Sequence, residues 1–165
     1  MPDLYVGQVV ELPKLLQNVS LWNFVNLSSV WHRQYHNWDH GSDSTSKCYV
    51  FHEDSGFVSL NWVDGPARYF DYQGEGVQRV EKVLRFIKTS LNIGKKVFIC
   101  CDQGQSRSPS VALLYMAVTG RLRKDTYQNA QVEFLFHYPP YKPGEGMKEF
   151  LEKNWYNFIG DQMYL

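Results

Sequence analysis

The sequence lacks the features of a secreted, membrane-spanning or polyelectrolyte-binding protein. Its first residues show neither the basic start nor the continuous apolar run of a secretory signal, and no stretch reaches the roughly 18 apolar residues of a membrane span. Acidic and basic residues number 17 each, so the formal net charge is zero, which argues against nucleic acid and membranes as partners. We therefore expect a cytoplasmic protein in which any anion recognition is local.

Cysteine is scarce, and repeats and low-complexity linkers are absent. The chain has three cysteines, Cys48, Cys100 and Cys101, and an odd number with two neighbours does not form a disulfide framework. With 165 residues, 44% of them hydrophobic, the chain can bury a core without disulfides or a structural metal. We expect residues 1–165 to form one domain.

The apolar pattern predicts alternating strands and helices. Runs rich in β-branched and aromatic residues predict strands at 21–27, 47–53, 57–63 and 97–101. Helical spacing and stop signals predict helices at 77–91, 109–119, 127–137 and 147–159. This alternation predicts an α/β fold, with a central mixed or mostly parallel sheet of about four to five strands flanked by helices on both faces.

The segment VFICCDQGQSRSPSVALLYMA places a polar, glycine-containing turn between a buried strand and a buried helix. Such a turn lies outside the carboxyl edge of the sheet, where α/β folds bind ligands. The helix N-terminus directs unpaired N–H groups into the same space. Gly104 gives the turn the freedom to form an anion nest, and Arg107 adds a planar fork of donors. The predicted phosphate-binding residues are Asp102, Gln103, Gly104, Gln105, Ser106 and Arg107.

Cys101 begins this loop, six positions before Arg107. A helix dipole, amide donors and a guanidinium all favour a thiolate over a thiol. A thiolate beneath a bound phosphoryl group is arranged for in-line displacement through a phosphocysteine intermediate. Ser108 can donate its hydroxyl to the same sulfur, which would help the sulfur to leave when water attacks.

The segment CDQGQSRS, residues 101–108, resembles the C-x5-R-S/T signature of cysteine-dependent protein phosphatases, and its G-x-SRS ending is most similar to the dual-specificity branch. The resemblance extends over residues 57–119, and the tail FHYPPYKPGEGMKEFLEKNW is similar to small bacterial and phage phosphatase-like proteins. It implies a single-domain protein-phosphatase-like fold and a metal-independent phosphatase of phosphorylated proteins or peptides, with no cofactor. The oligomeric state is not implied.

In this family the leaving group receives its proton from an aspartate on a loop upstream of the cysteine. LNWVDGP resembles that loop, so the resemblance assigns the general acid to Asp64, which lies 37 positions before Cys101. Asp71, 30 positions before Cys101, is the rival. The alternative roles are a turn residue before Gly-Pro for Asp64 and a helix cap for Asp71.

The chain departs from the family at Cys100, where a histidine usually precedes the nucleophile. A neutral thiol is a poorer hydrogen-bond donor, so we expect a less stabilised thiolate and lower activity. Cys100 is interpreted as a small, buried strand residue. The alternative is a reversible disulfide of oxidised Cys101 with Cys100 or Cys48, although a bond between neighbouring cysteines would be strained.

Two other groups of residues have both a structural and a functional interpretation. His32 and His36 have helical spacing, and Asp39 and His40 follow them, which is compatible with a metal site. No third ligand falls in the expected pattern. Residues 31–40 are therefore interpreted as a polar aromatic surface segment. Aromatic residues beyond Asp64 are core residues or one wall of a substrate pocket; they are Tyr69, Phe70 and Tyr72.

Three classes of function stay open. The first is hydrolysis of phosphotyrosine in proteins, with phosphoserine and phosphothreonine undecided. The second is a phosphatase of RNA 5′ ends, nucleotides or inositol phosphates. Asp102 and the absence of lysine from the loop argue against such polyanions, although residues 121–124 contain three basic side chains that could attract RNA. The third is a phosphate-binding module without turnover, which has no need of the nucleophile Cys101.

Overall fold

The centre of the molecule is a five-stranded sheet, seen in a computed structural model that describes residues 3–35 and 52–160. Its strands are Leu4–Gln8 (β1), Trp22–Asn26 (β2), His52–Asp54 (β3), Phe57–Ser59 (β4) and Lys96–Cys101 (β5). They lie in the order β1-β5-β2-β4-β3. All neighbouring pairs are parallel except β3 and β4, which are antiparallel. The predicted mixed, mostly parallel α/β sheet is confirmed.

Helices of very different length connect and cover these strands. They are Leu12–Leu15 (α1), Ser29–Tyr35 (α2), Gly76–Asn92 (α3), Arg107–Val118 (α4), Tyr127–His137 (α5) and Glu145–Gly160 (α6). All twelve residues of α4 are buried, which agrees with its apolar sequence because a helix that is apolar all round belongs in a core. The positions of the four long predicted helices are confirmed to within two residues.

The larger core lies between one face of the sheet and helices α3 to α6. Because successive strand residues point to opposite faces, Val97, Ile99 and Cys101 of β5 join this core. The helices contribute apolar residues at helical spacing, such as Val83 and Ile87 of α3. The nucleophile candidate Cys101 is thus anchored in the larger core.

The smaller core covers the opposite face of the sheet. Phe98 and Cys100 of β5 pack there with Phe24 of β2 and with Leu12 of α1. Trp31 of α2 packs against this core, with its ring centroid 5.5 Å from that of Phe57 and the two rings tilted by 40°. Helical segments therefore lie on both faces, as the α/β pattern predicts.

The structure differs from the predicted elements at two strands. Strand β1 was not predicted; it is short and pairs along its whole length with β5, with Val6 opposite Ile99, so tertiary pairing stabilises it. Strand β4 ends at Ser59 instead of residue 63 because the chain turns, with the Trp62 N–H donating to the Leu60 carbonyl at 2.9 Å. The predicted strand 47–53 lies mostly outside the described residues.

The interpretation of residues 31–40 as a surface segment is wrong for His32. This side chain is fully buried, and its Nδ1 hydrogen-bonds with the hydroxyl of Ser59. His36, Asp39 and His40 lie outside the described residues. Within residues 3–35 and 52–160, no group of three or more His, Cys, Asp or Glu side chains is placed to hold a metal ion, and no helix is long and apolar enough to cross a membrane.

The larger core predicts a stability difference between two apolar positions. Leu113 of α4 is fully buried, so we expect Leu113→Ala to lower the free energy of unfolding by about 2 to 5 kcal/mol because a cavity remains. Val132 of α5 is 59% exposed, and Val132→Ala should change the free energy of unfolding by less than about 0.5 kcal/mol. Urea denaturation followed by circular dichroism measures both, and equal effects would contradict this description of the core.

Candidate active site

The carboxyl ends of the four mutually parallel strands meet at one edge of the sheet. Cys101 ends β5, Leu27 follows β2, and the chain after β4 leads to Asp64. Backbone bonds continue beyond the strands, from the Leu27 N–H to the Cys100 carbonyl at 2.8 Å and from the Leu60 N–H to the Asn26 carbonyl at 2.9 Å. Segments that are distant in the sequence are therefore held side by side, at the edge where α/β folds bind ligands.

A cavity of about 410 Å³ opens at this edge. The residues around it come from the loop after β5, the loop after β4 and the segment before α6: Asp64, Cys101, Asp102, Gln103, Gln105, Ser106, Arg107, Lys142, Pro143 and Gly144. The structure thus brings together most of the predicted site residues. Gly104 and Ser108 are not among these lining residues.

The conformation of the loop depends on Gly104. Its φ of +67° lies in the left-handed region that favours glycine. A Cβ at this position would also lie 3.0 Å from the carbonyl oxygen of Gly7 at the end of β1. The Tyr138 hydroxyl donates to the Gly104 carbonyl at 2.8 Å. Burial, followed by the nearby Cys101 and Glu11, raises the pKa of Tyr138, so this hydroxyl stays protonated and can donate.

The sulfur of Cys101 lies at the base of the loop and is almost fully buried. Its Sγ is 3.1 Å from the Ser108 Oγ, and that hydroxyl is also 3.4 Å from the Gly7 carbonyl. Helix α4 begins at Arg107, so its N-terminal N–H groups point toward the loop. This surrounding favours an anionic group bound above the sulfur.

Arg107 is the most constrained polar side chain of the site and is only 4% exposed. Its Nη1 donates to the carbonyls of Leu27, at 3.1 Å, and of Trp62. Its Nη2 forms an ion pair with the carboxylate of Asp102. Its Nε is buried and has no hydrogen-bond partner among the described residues. Because an unsatisfied buried donor is costly, this N–H is suited to an anion in the cavity.

The segment between α5 and α6 supports both loops. The Lys142 N–H donates to the Gln105 carbonyl at 2.8 Å, and the Gly144 N–H donates to the Ser106 Oγ at 3.0 Å. A Cβ on Gly144 would lie 3.2 Å from the carboxylate of Asp64. The sequence pattern predicts only a turn here. The prolines and glycines of this segment indicate a turn, but they do not indicate that the turn contacts the candidate site.

The two candidate general acids occupy different places. The Asp64 carboxyl lines the cavity beside Gly144. The Asp71 carboxylate accepts a hydrogen bond from the Gly76 N–H at 3.1 Å, at the start of α3, and Asp71 is not among the cavity-lining residues. Tyr69, Phe70 and Tyr72 are also not among them.

Cys100 points away from the site. It packs in the smaller core, on the opposite face of the sheet from Cys101, and its Sγ donates a long hydrogen bond of 3.8 Å to the Asn26 Oδ1. Burial, with the nearby Cys101 and two carboxylates, raises the pKa of the Cys100 thiol. Cys48 lies outside the described residues. The Cys100 and Cys101 side chains therefore belong to cores on opposite faces of the sheet.

Ser28 is a site residue that the sequence did not indicate. It is fully buried after β2, and its hydroxyl donates to the Asp102 carboxylate. Asp102, predicted as part of the phosphate-binding loop, directs its carboxylate to Arg107 and Ser28. Ser28 is 74 positions from Asp102 in the sequence, so only the pairing of β2 with β5 brings the two together.

Comparison with known proteins gives matches in structure and not in sequence. No protein-family model matches the chain, and no curated protein matches it. The Yvh1 phosphatase domain from Chaetomium thermophilum superposes with a TM-score of 0.62, at 19% identity, over 97% of this chain and 94% of that one. A mouse putative dual specificity phosphatase, complexed with zinc tungstate, superposes with a TM-score of 0.62 at 18% identity. The match covers 100% of this chain and 89% of that one.

A human tyrosine phosphatase-like serine/threonine/tyrosine-interacting protein also gives a TM-score of 0.62, at 16% identity, over 96% of this chain and 95% of that one. These similarities cover nearly the whole of each chain. The protein therefore has the fold of the cysteine-dependent phosphatases.

The two neighbouring cysteines should differ in reactivity. We expect iodoacetate at neutral pH to alkylate Cys101, because this residue lines the cavity that the reagent can enter. Cys100 should stay unmodified, since its buried thiol has a raised pKa. Fragment-ion mass spectrometry of the peptide that contains both residues measures each site. Faster labelling of Cys100 in the folded protein would contradict the assignment.

Proposed function

We propose that the protein hydrolyses phosphoric monoesters of proteins or peptides through a phosphocysteine intermediate. The observation that carries this proposal is a single cavity in which Cys101, Arg107 and Asp64 meet at the N-terminus of α4. A nucleophile, an anion-binding group and a candidate acid are the three components that displacement at phosphorus requires. The fold shared with dual-specificity phosphatases supports the same conclusion.

In the first half-reaction the Cys101 thiolate attacks phosphorus from below the loop. A sulfur–phosphorus bond forms, and the bond from phosphorus to the substrate oxygen breaks on the opposite side. The Arg107 guanidinium and the N-terminal N–H groups of α4 stabilise the charge on the three equatorial oxygens. Asp64 donates its proton to the departing oxygen, so that an alcohol leaves and not an alkoxide.

In the second half-reaction water replaces the leaving group. The Asp64 carboxylate accepts a proton from this water, which attacks phosphorus and breaks the sulfur–phosphorus bond. The sulfur departs as a thiolate, with the Ser108 hydroxyl 3.1 Å away as its donor. Inorganic phosphate is released, and the proton on Asp64 returns the site to its starting state.

The charges around the cavity support a monoester of protein over a polyanion. Asp102 and Asp64 both line the cavity, and its cationic lining residues are Arg107 and Lys142. The basic residues 121–124 follow the C-terminus of α4, about 18 Å of helix away from the loop. They are therefore poorly placed to bind an RNA end that reacts at Cys101. We propose phosphotyrosine as the principal substrate, with phosphoserine and phosphothreonine tested beside it.

The nucleophile is tested by Cys101→Ser. We expect hydrolysis of a phosphotyrosine peptide to fall to the background rate, because a serine hydroxyl is a much weaker nucleophile than a cysteine sulfur. Tungstate should still bind, since the loop and Arg107 are retained. Hydrolysis by the unmodified protein should be unaffected by EDTA. Retained turnover in Cys101→Ser, or loss of activity in EDTA, would contradict the mechanism.

The general acid is tested by a matched pair of aspartate variants. Asp64→Ala should lower kcat for a phosphotyrosine peptide by about 10²- to 10⁴-fold. Asp71→Ala should leave kcat near that of the unmodified protein, because this carboxylate bonds the start of α3 instead. The effect of Asp64→Ala should shrink for an aryl phosphate with a more acidic leaving phenol, which needs no proton to depart. An equal loss with both substrates would assign Asp64 a structural role.

The substrate class is tested by a hydrolysis panel. The panel contains a phosphotyrosine peptide, a phosphothreonine peptide, 5′-triphosphorylated RNA and an inositol phosphate, compared by kcat/KM in the same buffer. The proposal expects the phosphotyrosine peptide to be preferred. Preference for the RNA or the inositol phosphate would retain the phosphatase chemistry and overturn the protein substrate.

A further inference from the structure

Arg107 depends on Asp102 for its orientation. The two main-chain carbonyls that hold Arg107, those of Leu27 and Trp62, both accept from the same nitrogen, Nη1. Two bonds to one nitrogen fix a single point of the guanidinium and leave the group free to pivot about it. The bond from Nη2 to the Asp102 carboxylate supplies a second point. Together with the covalent attachment of the side chain at Nε, these two points determine the plane of the guanidinium and the direction of its Nε–H.

Asp102 is itself held in place from the other side. One carboxylate oxygen binds Arg107, and the other accepts a hydrogen bond from the Ser28 hydroxyl. Ser28 is fixed by Asn26, whose Oδ1 accepts from the Ser28 N–H at 3.1 Å and whose Nδ2 donates to the Ser28 carbonyl at 3.2 Å. The position of Arg107 is therefore tied to the end of strand β2 through a continuous chain of hydrogen bonds.

This arrangement has a cost, because it places a carboxylate beside a site for an anion. Considered as a charge alone, Asp102 should repel an oxyanion, and its removal should strengthen binding. The Asp102 side chain is 39% exposed and in contact with a guanidinium that is 4% exposed. Solvent and the guanidinium both weaken the field of the carboxylate at the cavity, whereas the contact with Nη2 is a directed, charge-assisted hydrogen bond. The geometric effect should therefore dominate.

We propose that Asp102 is the positioning residue for Arg107, which holds the guanidinium plane so that the buried Nε faces the bound phosphoryl group. This role rests on the proposed phosphatase function. Under simple repulsion, removal of the Asp102 charge should strengthen anion binding. Under the positioning role, the same removal should weaken anion binding.

The test measures the affinity for tungstate by isothermal titration calorimetry. Asp102→Ala should weaken binding by about tenfold, and Asp102→Asn should weaken it less, because the amide oxygen can still accept from Nη2. Ser28→Ala changes no charge and should weaken binding by about two- to threefold. Asp3→Asn removes a negative charge outside the cavity lining and should leave binding unchanged. For a phosphotyrosine peptide, kcat/KM should fall in the same order.

Each outcome has a defined meaning. Unchanged or tighter binding in Asp102→Ala, with an unaffected Ser28→Ala, would show repulsion and overturn the positioning role while the proposed function stands. If Asp102→Ala does not fold, as judged by circular dichroism, Asp102→Asn and Ser28→Ala decide by the same criterion. Failure of the unmodified protein to bind tungstate would overturn the proposed function and the positioning role together.

Discussion

The burial of one guanidinium is the constraint on which the site depends. Arg107 carries a positive charge yet is almost excluded from solvent, and a buried charge is tolerated only when it is paired and hydrogen-bonded. Its partners are two main-chain carbonyls and one carboxylate, drawn from three segments of the chain. The ends of β2 and β5 and the turn after β4 must therefore lie at fixed positions around it.

The rest of the fold supplies those positions. Parallel pairing of β2 with β5 and β4 brings the carbonyl of Leu27 and the turn at Trp62 to the same edge. The buried helix α4 keeps its first residue, Arg107, at that edge as well. Gly144, before α6, donates its N–H to the Ser106 hydroxyl of the loop after β5. Gly146, in the first turn of α6, approaches the loop after β4 so closely that a Cβ would lie 1.9 Å from the Gly65 carbonyl. Core packing, and not the loops alone, determines the geometry of the cavity.

The sequence predicted those parts of the site that are local. Strand, glycine turn and helix follow one another within residues 97–118, so their order alone indicated an anion site and placed Cys101 below it. Strand β1 was missed because five residues with a glycine at the fourth position show little pattern until they pair with β5. His32 was assigned to the surface because a histidine in a segment of mixed polar and aromatic residues gives no sign that Ser59 lies opposite it in the core.

The sequence by itself determined the α/β class, the helices and the six-residue spacing from Cys101 to Arg107, because periodicity, turn residues and loop length are properties of neighbouring residues. Tertiary structure alone decided which carboxyl lies in the cavity, where the fork of Arg107 is held, and that Ser28 contacts Asp102 across 74 positions. The reason is physical: these contacts arise where strands pair and loops converge, and strand pairing is set by the burial of the whole sheet.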